Sequence, residues 1–413
     1  MAKRRILFFG EDEYARRLGA VRSLLSERGI DLLVTCSPGN ICYLTGYFSA
    51  NLFDLMAVAV PVDGAPVFYT WQFEKAQYEA TAAGAEPVVW QTGDDPVKFI
   101  VDDLDRRGMK RGRISLDTGT TYTPFAVMER LMAALGATPS VRLVENVRLV
   151  KSPAEHRLIR QAAPMTDAGV AGALDRVRVG ATDHEISAGA YNGLLGTGSD
   201  LFCGDPIICA GWRAGTPHSG RGGARMASGD PCFIELAGVK GRYTTPLMRT
   251  GVAGKAGAAI VELAKYSNAC IDALVGAIRP GAKGSDVAAV GHKALAPILP
   301  KISFHHTYGY PVGIGFPPSW IENPDFLLTA QNHGEIKAGM VFHLPLMLRV
   351  YGRYGAGFSE TVIVTERGSE VMSKLPRELI VGRTAARARP KARPSRRPAR
   401  RRIGAKRTAR RRR

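Results

Sequence analysis

The chain has 413 residues, 45% hydrophobic and 23% charged, with a net charge of +19. That length allows two or three domains with buried cores, and the balance is ordinary for a globular protein. The charge is local: positions 383–413 carry 14 Arg, 2 Lys and no acid, leaving a near-neutral, enzyme-like body of 40 basic and 37 acidic residues.

The first 150 residues alternate helical and strand patterns. Tyr14 to Arg28 has helical periodicity, and Asp31 to Cys36 reads as a buried strand. Met56–Val62 and Pro66–Thr70 flank Asp63-Gly64, a hairpin signal. Strands are also expected at Pro87–Trp90 and Arg113–Asp117, with a helix between them and another after Pro124. Such alternation predicts an α/β domain with a parallel or mixed sheet over 1–150.

A boundary is expected near Val150. Ser152-Pro-Ala-Glu155 and Thr182-Asp-His-Glu185 are capping boxes, each opening a helix. Two similar blocks follow. Gly229-Asp-Pro-Cys-Phe-Ile-Glu-Leu leads through Gly241-Arg-Tyr to Arg249-Thr, and Gly339-Met-Val-Phe-His-Leu-Pro-Leu leads through Gly352-Arg-Tyr to Glu360-Thr. They read as a degenerate helix-then-hairpin repeat within a second domain, 151–382. From Arg383 to Arg413 the Arg, Ala, Pro and Lys composition predicts a disordered basic tail.

The six cysteines include no CxxC pair, which argues against a zinc knuckle or disulfide framework, so Cys203 and Cys209 are expected to be buried thiols in a reducing compartment. The Ile6–Phe9 apolar run is too short for a signal peptide, and Met56–Val62 is too short to cross a bilayer. A cytoplasmic protein with no membrane partner is expected.

All eight histidines follow residue 150. His156, His184, His292 and His333 are expected on the surface. His343 is expected either to line a site or to be a satisfied core residue, and His305 to face away from His306.

Four segments carry the chemistry: Ala214-Gly-Thr-Pro-His218, Phe233-Ile-Glu235 through Pro246 to Arg249-Thr, His306-Thr-Tyr-Gly-Tyr310, and Gly357-Phe-Ser-Glu360. Their order and spacing resemble the pita-bread superfamily of creatinase, aminopeptidase P and prolidase. Asn40-Ile-Cys-Tyr-Leu-Thr-Gly-Tyr47 looks like that family's N-terminal motif. The resemblance implies an α/β N-terminal domain, an α+β pita-bread catalytic domain and, commonly, a homodimer. In the family's metallopeptidases two Asp, one His and two Glu bind two divalent ions. Here those positions align with Glu235, Pro246, Tyr310, Pro345 and Glu360, and proline offers no side-chain ligand. The resemblance therefore points to the metal-free branch, with no metal ligands and no cofactor, most like ectoine hydrolase or creatinase.

His218 precedes Glu235 by 17 residues, the family's separation between loop histidine and first acid. The resemblance makes His218 the acid/base, a role that suits an imidazole titrating near neutral pH. Glu235 and Glu360 are expected to face one cavity and anchor a cationic or zwitterionic small molecule, such as an amidinium or guanidinium. His306 is expected to stabilise an oxyanion, and Tyr310 and His343 to touch substrate.

Three functions remain open on the sequence. One is metal-independent hydrolysis of a C–N bond in an ectoine- or creatine-like compound. The second is a metal-dependent Xaa-Pro peptidase. The third is a non-catalytic pita-bread binding protein, with Arg383–Arg413 attracting nucleic acid non-specifically through phosphate contacts.

Overall fold

Apolar residues on both faces place Leu32–Thr35 (β1) inside a sheet, with all four of its residues buried. In the computed structural model, which describes residues 6–382, β1 pairs antiparallel with β2 (Ala57–Pro61) and parallel with β5 (Ile114–Asp117). Adding β3 (Val67–Trp71), β4 (Glu86–Trp90) and β6 (Thr138–Ser140) gives a mixed six-stranded sheet, ordered β4-β3-β2-β1-β5-β6. The β2–β3 hairpin turns at Asp63-Gly64 as the sequence predicts.

Helices α1 (Glu11–Glu27), α3 (Lys75–Thr81), α4 (Pro96–Arg106), α5 (Phe125–Leu135) and α6 (Leu143–Arg148) belong to this domain. The pattern reading missed α2 (Pro38–Thr45), a buried helix with Pro38 in its first turn and Gly46 closing it at φ 77°. Most of the Asn40–Tyr47 motif lies in it.

Ser152 and Thr182 each complete a capping box, opening α7 (Pro153–Leu174) and α8 (Asp183–Gly196). These helices approach through glycine, since a Cβ on Gly189 would overlap the Gly172 carbonyl. They cover the hairpin β8 (Pro231–Lys240) and β9 (Tyr243–Ala253), while α9 (Ala258–Ala277) covers the hairpin β12 (Val341–Val350) and β13 (Tyr354–Thr365) and carries α10 (Gly284–Leu295). β7 (Ile207–Ala210), β10 (Tyr310–Phe316) and β14 (Gly368–Val371) complete the order β14-β13-β12-β10-β9-β8-β7. β11 (Ser319–Ile321) and β15 (Ile380–Gly382) pair with β10 and β9.

The repeat seen in the sequence is a pseudo-two-fold in space. One hydroxyl pins each hairpin to its helix: Thr166 Oγ1 donates to Thr245 O (2.7 Å) and accepts from Gly238 N (2.8 Å). Ser267 Oγ donates to Leu346 O (2.8 Å) and accepts from Phe358 N (3.0 Å). Side chains join β9 to β13. Thr250 Oγ1 donates to Gly357 O and accepts from Gly357 N, and Thr361 Oγ1 donates to Pro246 O.

The two domains share one core. Phe9, Tyr14, Ile41 and Tyr43 pack in the same cluster as Tyr243, Val312, Ile314 and Phe316. A buried charge cluster crosses the junction: Arg148 donates to Asn40 Oδ1 (2.8 Å) and Glu322 Oε1 (3.0 Å), and Lys151 pairs with the same Glu322 carboxylate. Two positive charges on one carboxylate offset the burial that would otherwise raise its pKa, and the net direction is downward.

All six cysteines are buried and free. Among the described residues no helix is long and apolar enough to cross a membrane. His156, expected on the surface, is half-buried, with Nε2 3.0 Å from Gly339 O. The expected basic tail, 383–413, lies outside the described residues.

Candidate active site

Side chains alternate across a strand, so register decides which residues share a face. Leu344, Leu346 and Leu348 of β12 point into the helix-covered core with Phe358 and Val362 of β13. The opposite face carries a small separate cluster of Cys209, Ala214, Phe233, Met248 and Met347. Glu235 lies two residues from Phe233 and opposite Met248, so it belongs to this second, open face. Pro345 and Ser359 oppose each other in register and share the parity of Met347.

Glu360 does not join Glu235, which corrects the expectation that both face one cavity. It shares the parity of Phe358 and Val362 and points under the helices. There its Oε1 accepts from Arg249 Nη2 (2.9 Å), with Arg377 Nε at 3.5 Å. Arg249, opposite Ile234 on the covered face, also donates to the Ser359, Leu375 and Pro376 carbonyls. Burial outweighs the two arginines and pushes Glu360 up to about 7. Glu360 is a clamp between the sheet and the C-terminal segment. The strand position facing the site is Ser359.

Ser359 ends a buried chain of hydrogen bonds. Trp320 Nε1 donates to the Tyr310 hydroxyl (2.9 Å), which lies 2.7 Å from His343 Nδ1, and His343 Nε2 lies 2.6 Å from Ser359 Oγ. Ser359 Oγ also accepts from Met248 N (2.6 Å). Fully buried His343 is held neutral, its pKa pushed down to about 3 by desolvation, with Arg249 acting in the same direction. Neutral imidazole has one donor and one acceptor, and in either tautomer one nitrogen is engaged by the Tyr310 hydroxyl and the other by Ser359 Oγ. Both nitrogens are thus used inside the protein, and His343 has none left for a substrate. His343, expected to touch substrate, is instead fully buried and joins β10 to β12 through the partly buried Tyr310.

Glu235 is the carboxylate on the open face. It is 5% exposed, and burial pushes it up to about 7, with Arg349 the opposing influence. Arg349 is the open-face residue that sequence reasoning missed. It continues the Pro345, Met347 parity of β12, and its guanidinium lies 5.0 Å from the centre of the Phe233 ring. An arginine in the run Leu344-Pro-Leu-Met-Leu-Arg349-Val was the available signal. Its neighbour His305 is open to solvent on one side but crowded by protein on the others. Desolvation, then Arg349, His306 and His218, lower its pKa to about 4.

His218 sits in the loop between β7 and β8, exposed, with φ 54°. That loop is tied at several points. Cys209 Sγ lies 3.0 Å from Ser219 O, Arg213 Nη1 donates to Gly220 O, and Asp183 accepts from Gly222 N and Gly223 N. Asp183 also pairs with Arg213, so the first turn of α8 holds the loop over the open face. His218 is close enough to His305 for their charges to interact. His306, also at positive φ (56°), turns its ring toward Phe304 and toward His292 of α10 at 6.0 Å. The expected strand opposition of His305 and His306 does not form: residues 304–309 lie outside any strand and both rings approach Phe304.

The two-ion centre implied by the family does not fit these residues. Of the five face positions, only Glu235 is a carboxylate. Pro246 and Pro345 have no side-chain donor, and the Tyr310 and Ser359 hydroxyls are engaged. Divalent ions of this kind need several oxygen or imidazole ligands converging. Among the described residues no group of three or more His, Cys, Asp or Glu is so placed.

A mixed α/β domain docked on a pseudo-two-fold sheet, with a buried carboxylate on the open face of that sheet, defines the pita-bread fold. Residues 17–150 match the Creatinase/Prolidase N-terminal domain and 157–366 match metallopeptidase family M24; the chain belongs to that family and is a hydrolase acting on C–N bonds. It is 27% identical over 410 residues to the ectoine hydrolase of Halomonas elongata, covering 90% of this chain and 98% of the relative. It is also 27% identical over 380 residues to the probable dipeptidase PepE of Mycobacterium tuberculosis, covering 90% and 98%. The crystal structure of dipeptidase PepE from Mycobacterium ulcerans superposes with a TM-score of 0.77 at 25% identity, over 90% of this chain and 99% of that one. The prolidase of Thermococcus sibiricus gives 0.81 at 18% identity, over 90% and 100%, a likeness of fold alone.

Proposed function

We propose that this protein hydrolyses, without a metal ion, a C–N bond in a small cationic or zwitterionic compound of the ectoine or creatine type. The observation that carries this reading is the open face itself, where Pro246, Tyr310, Pro345 and Ser359 accompany a single carboxylate, Glu235. Similarity to an ectoine hydrolase over nearly its whole length supports the substrate class. In the reaction, His218 takes a proton from water as the water oxygen bonds to the amidine-type carbon. The C–N bond then breaks and the departing nitrogen receives that proton from His218. Glu235 accepts hydrogen bonds from the substrate's N–H groups, which favour its ionised form.

Purified protein assayed with ectoine and with creatine, with and without chelator and alongside elemental analysis, tests this. Chelator-resistant turnover by metal-free protein is expected, with His218→Ala reducing it by about 100-fold or more. Full turnover by that variant would remove the mechanism.

A second reading, a metal-dependent Xaa-Pro dipeptidase, draws on the equal identity to PepE. Stoichiometric metal with chelator-sensitive cleavage of Ala-Pro would install it. The assembly expected from the family resemblance is a homodimer in the cytoplasm. The 16 positive charges of 383–413 would add weak, salt-sensitive retention on nucleic acid.

A further inference from the structure

Arg349 is a buried cation short of acceptors. It is 8% exposed, and its Nε has no hydrogen-bond partner. One Nη reaches the Met347 carbonyl, at a long 3.4 Å. A guanidinium has five N–H donors in a planar fork, and burying it unpaired is costly unless an anion meets it. Desolvation lowers its pKa, and Glu235 is the strongest opposing charge. Among the described residues Arg349 forms no ion pair. Its guanidinium rests on Phe233, one same-face step along β8 from Glu235, with which it interacts electrostatically but makes no ion pair. A cation and a carboxylate so placed influence each other without neutralising each other's hydrogen-bonding capacity.

We propose that Arg349 binds a carboxylate of the substrate, so that the compound hydrolysed is a zwitterion lying head to tail along the open face. Its carboxylate meets the Arg349 fork and its cationic nitrogen meets Glu235. The apolar side chains of Phe233 and Met347 border the two charges. A zwitterion pairs both ends at once. A plain cation would leave Arg349 buried and unpaired, and a plain anion would do the same to Glu235. The bidentate match of guanidinium to carboxylate supplies the geometric selectivity. This inference rests on placing the hydrolytic site at Glu235 and His218, but not on which C–N bond is cut.

Calorimetric titration of the full chain with ectoine, ectoine carboxamide and sodium acetate tests it, using wild type, His218→Ala, Arg349→Met and Arg349→Lys. Wild type and His218→Ala are expected to bind ectoine at least about tenfold tighter than the carboxamide. Arg349→Met should weaken ectoine by about 30-fold or more and erase that preference. Arg349→Lys, which keeps the charge without the fork, should fall between them and serves if the methionine variant does not fold. Equal binding of ectoine and carboxamide, or unchanged ectoine affinity in Arg349→Met, overturns the proposal. So does wild type that binds neither ectoine nor acetate up to about 0.1 M. Ectoine bound through Arg349 but never cleaved would sink only the hydrolase mechanism. Cleavage indifferent to Arg349 would sink only this inference.

Discussion

Glu235 has two reasons to titrate near neutrality: it is buried, and the charge that relieves it stands a side chain away rather than in contact. Its folded pKa of about 7 lies above the ordinary glutamate value of 4.5, so the native state keeps a proton that the unfolded state has released. Stability from this group is full below about pH 4.5 and falls as pH rises through about 7. Glu235→Gln is therefore expected to gain about 2–3 kcal/mol over wild type at pH 8 and little at pH 4.5, read by urea denaturation at both. Turnover of that variant should fall at all pH values. His343 has the opposite sign. Its folded pKa of about 3 lies below the ordinary histidine value of 6.5, so its contribution is present above pH 6.5 and lost as pH falls toward 3. His343→Leu should cost about 2–4 kcal/mol at pH 8, because Tyr310 and Ser359 lose their shared partner. An unchanged denaturation midpoint would show that the chain of hydrogen bonds does not brace the strands. The sequence carried the identity of Glu235 and its distance from His218, but not which of two adjacent strand residues, Ser359 or Glu360, faces the site. The parity of Phe358, Glu360 and Val362 held that answer; the carboxylate drew attention away from it.

Among the elements, capping boxes and hairpins were legible because their signals are local. Ser152 to Glu155 closes through bonds spanning three residues, and Asp63-Gly64 needs only its own turn. Helix α2 was not, because its eight residues are almost all buried and show no amphipathic period. The strand β13 illustrates a division of labour. Its Ser359 faces the site while its neighbour Glu360 clamps Arg249 under the helices. Glu360→Gln is expected to keep turnover within about threefold of wild type, because its side chain lies under the helices with Arg249. A hundredfold loss of turnover in a folded variant would return Glu360 to the reaction.

On the scale of the whole molecule, domain docking sets the position of β10. Arg148 donates to Asn40 on one side and to the Ile314 carbonyl on the other, linking α2 to the strand that carries Tyr310. None of this was visible in the sequence, because Asn40, Arg148 and Glu322 lie over a hundred positions apart and meet only after both domains fold. Charge, in contrast, was legible at once. Deleting 383–413 should leave turnover and the denaturation midpoint unchanged while abolishing retention on heparin or DNA columns at about 0.1–0.2 M salt. Retention by the truncated protein would locate the polyanion site in the body instead.

The two prolines on the open face have a consequence for how this protein can change. Four of five positions, Pro246, Tyr310, Pro345 and Ser359, would have to be exchanged before two ions could be held. Intermediate steps would be penalised: replacing Tyr310 or Ser359 strands His343, and a carboxylate at 246 or 345 adds a lone charge to a low-dielectric wall. The face is a one-way street. Residues around Glu235 and Arg349 can therefore be exchanged at far lower cost than the four positions a two-ion cluster would need.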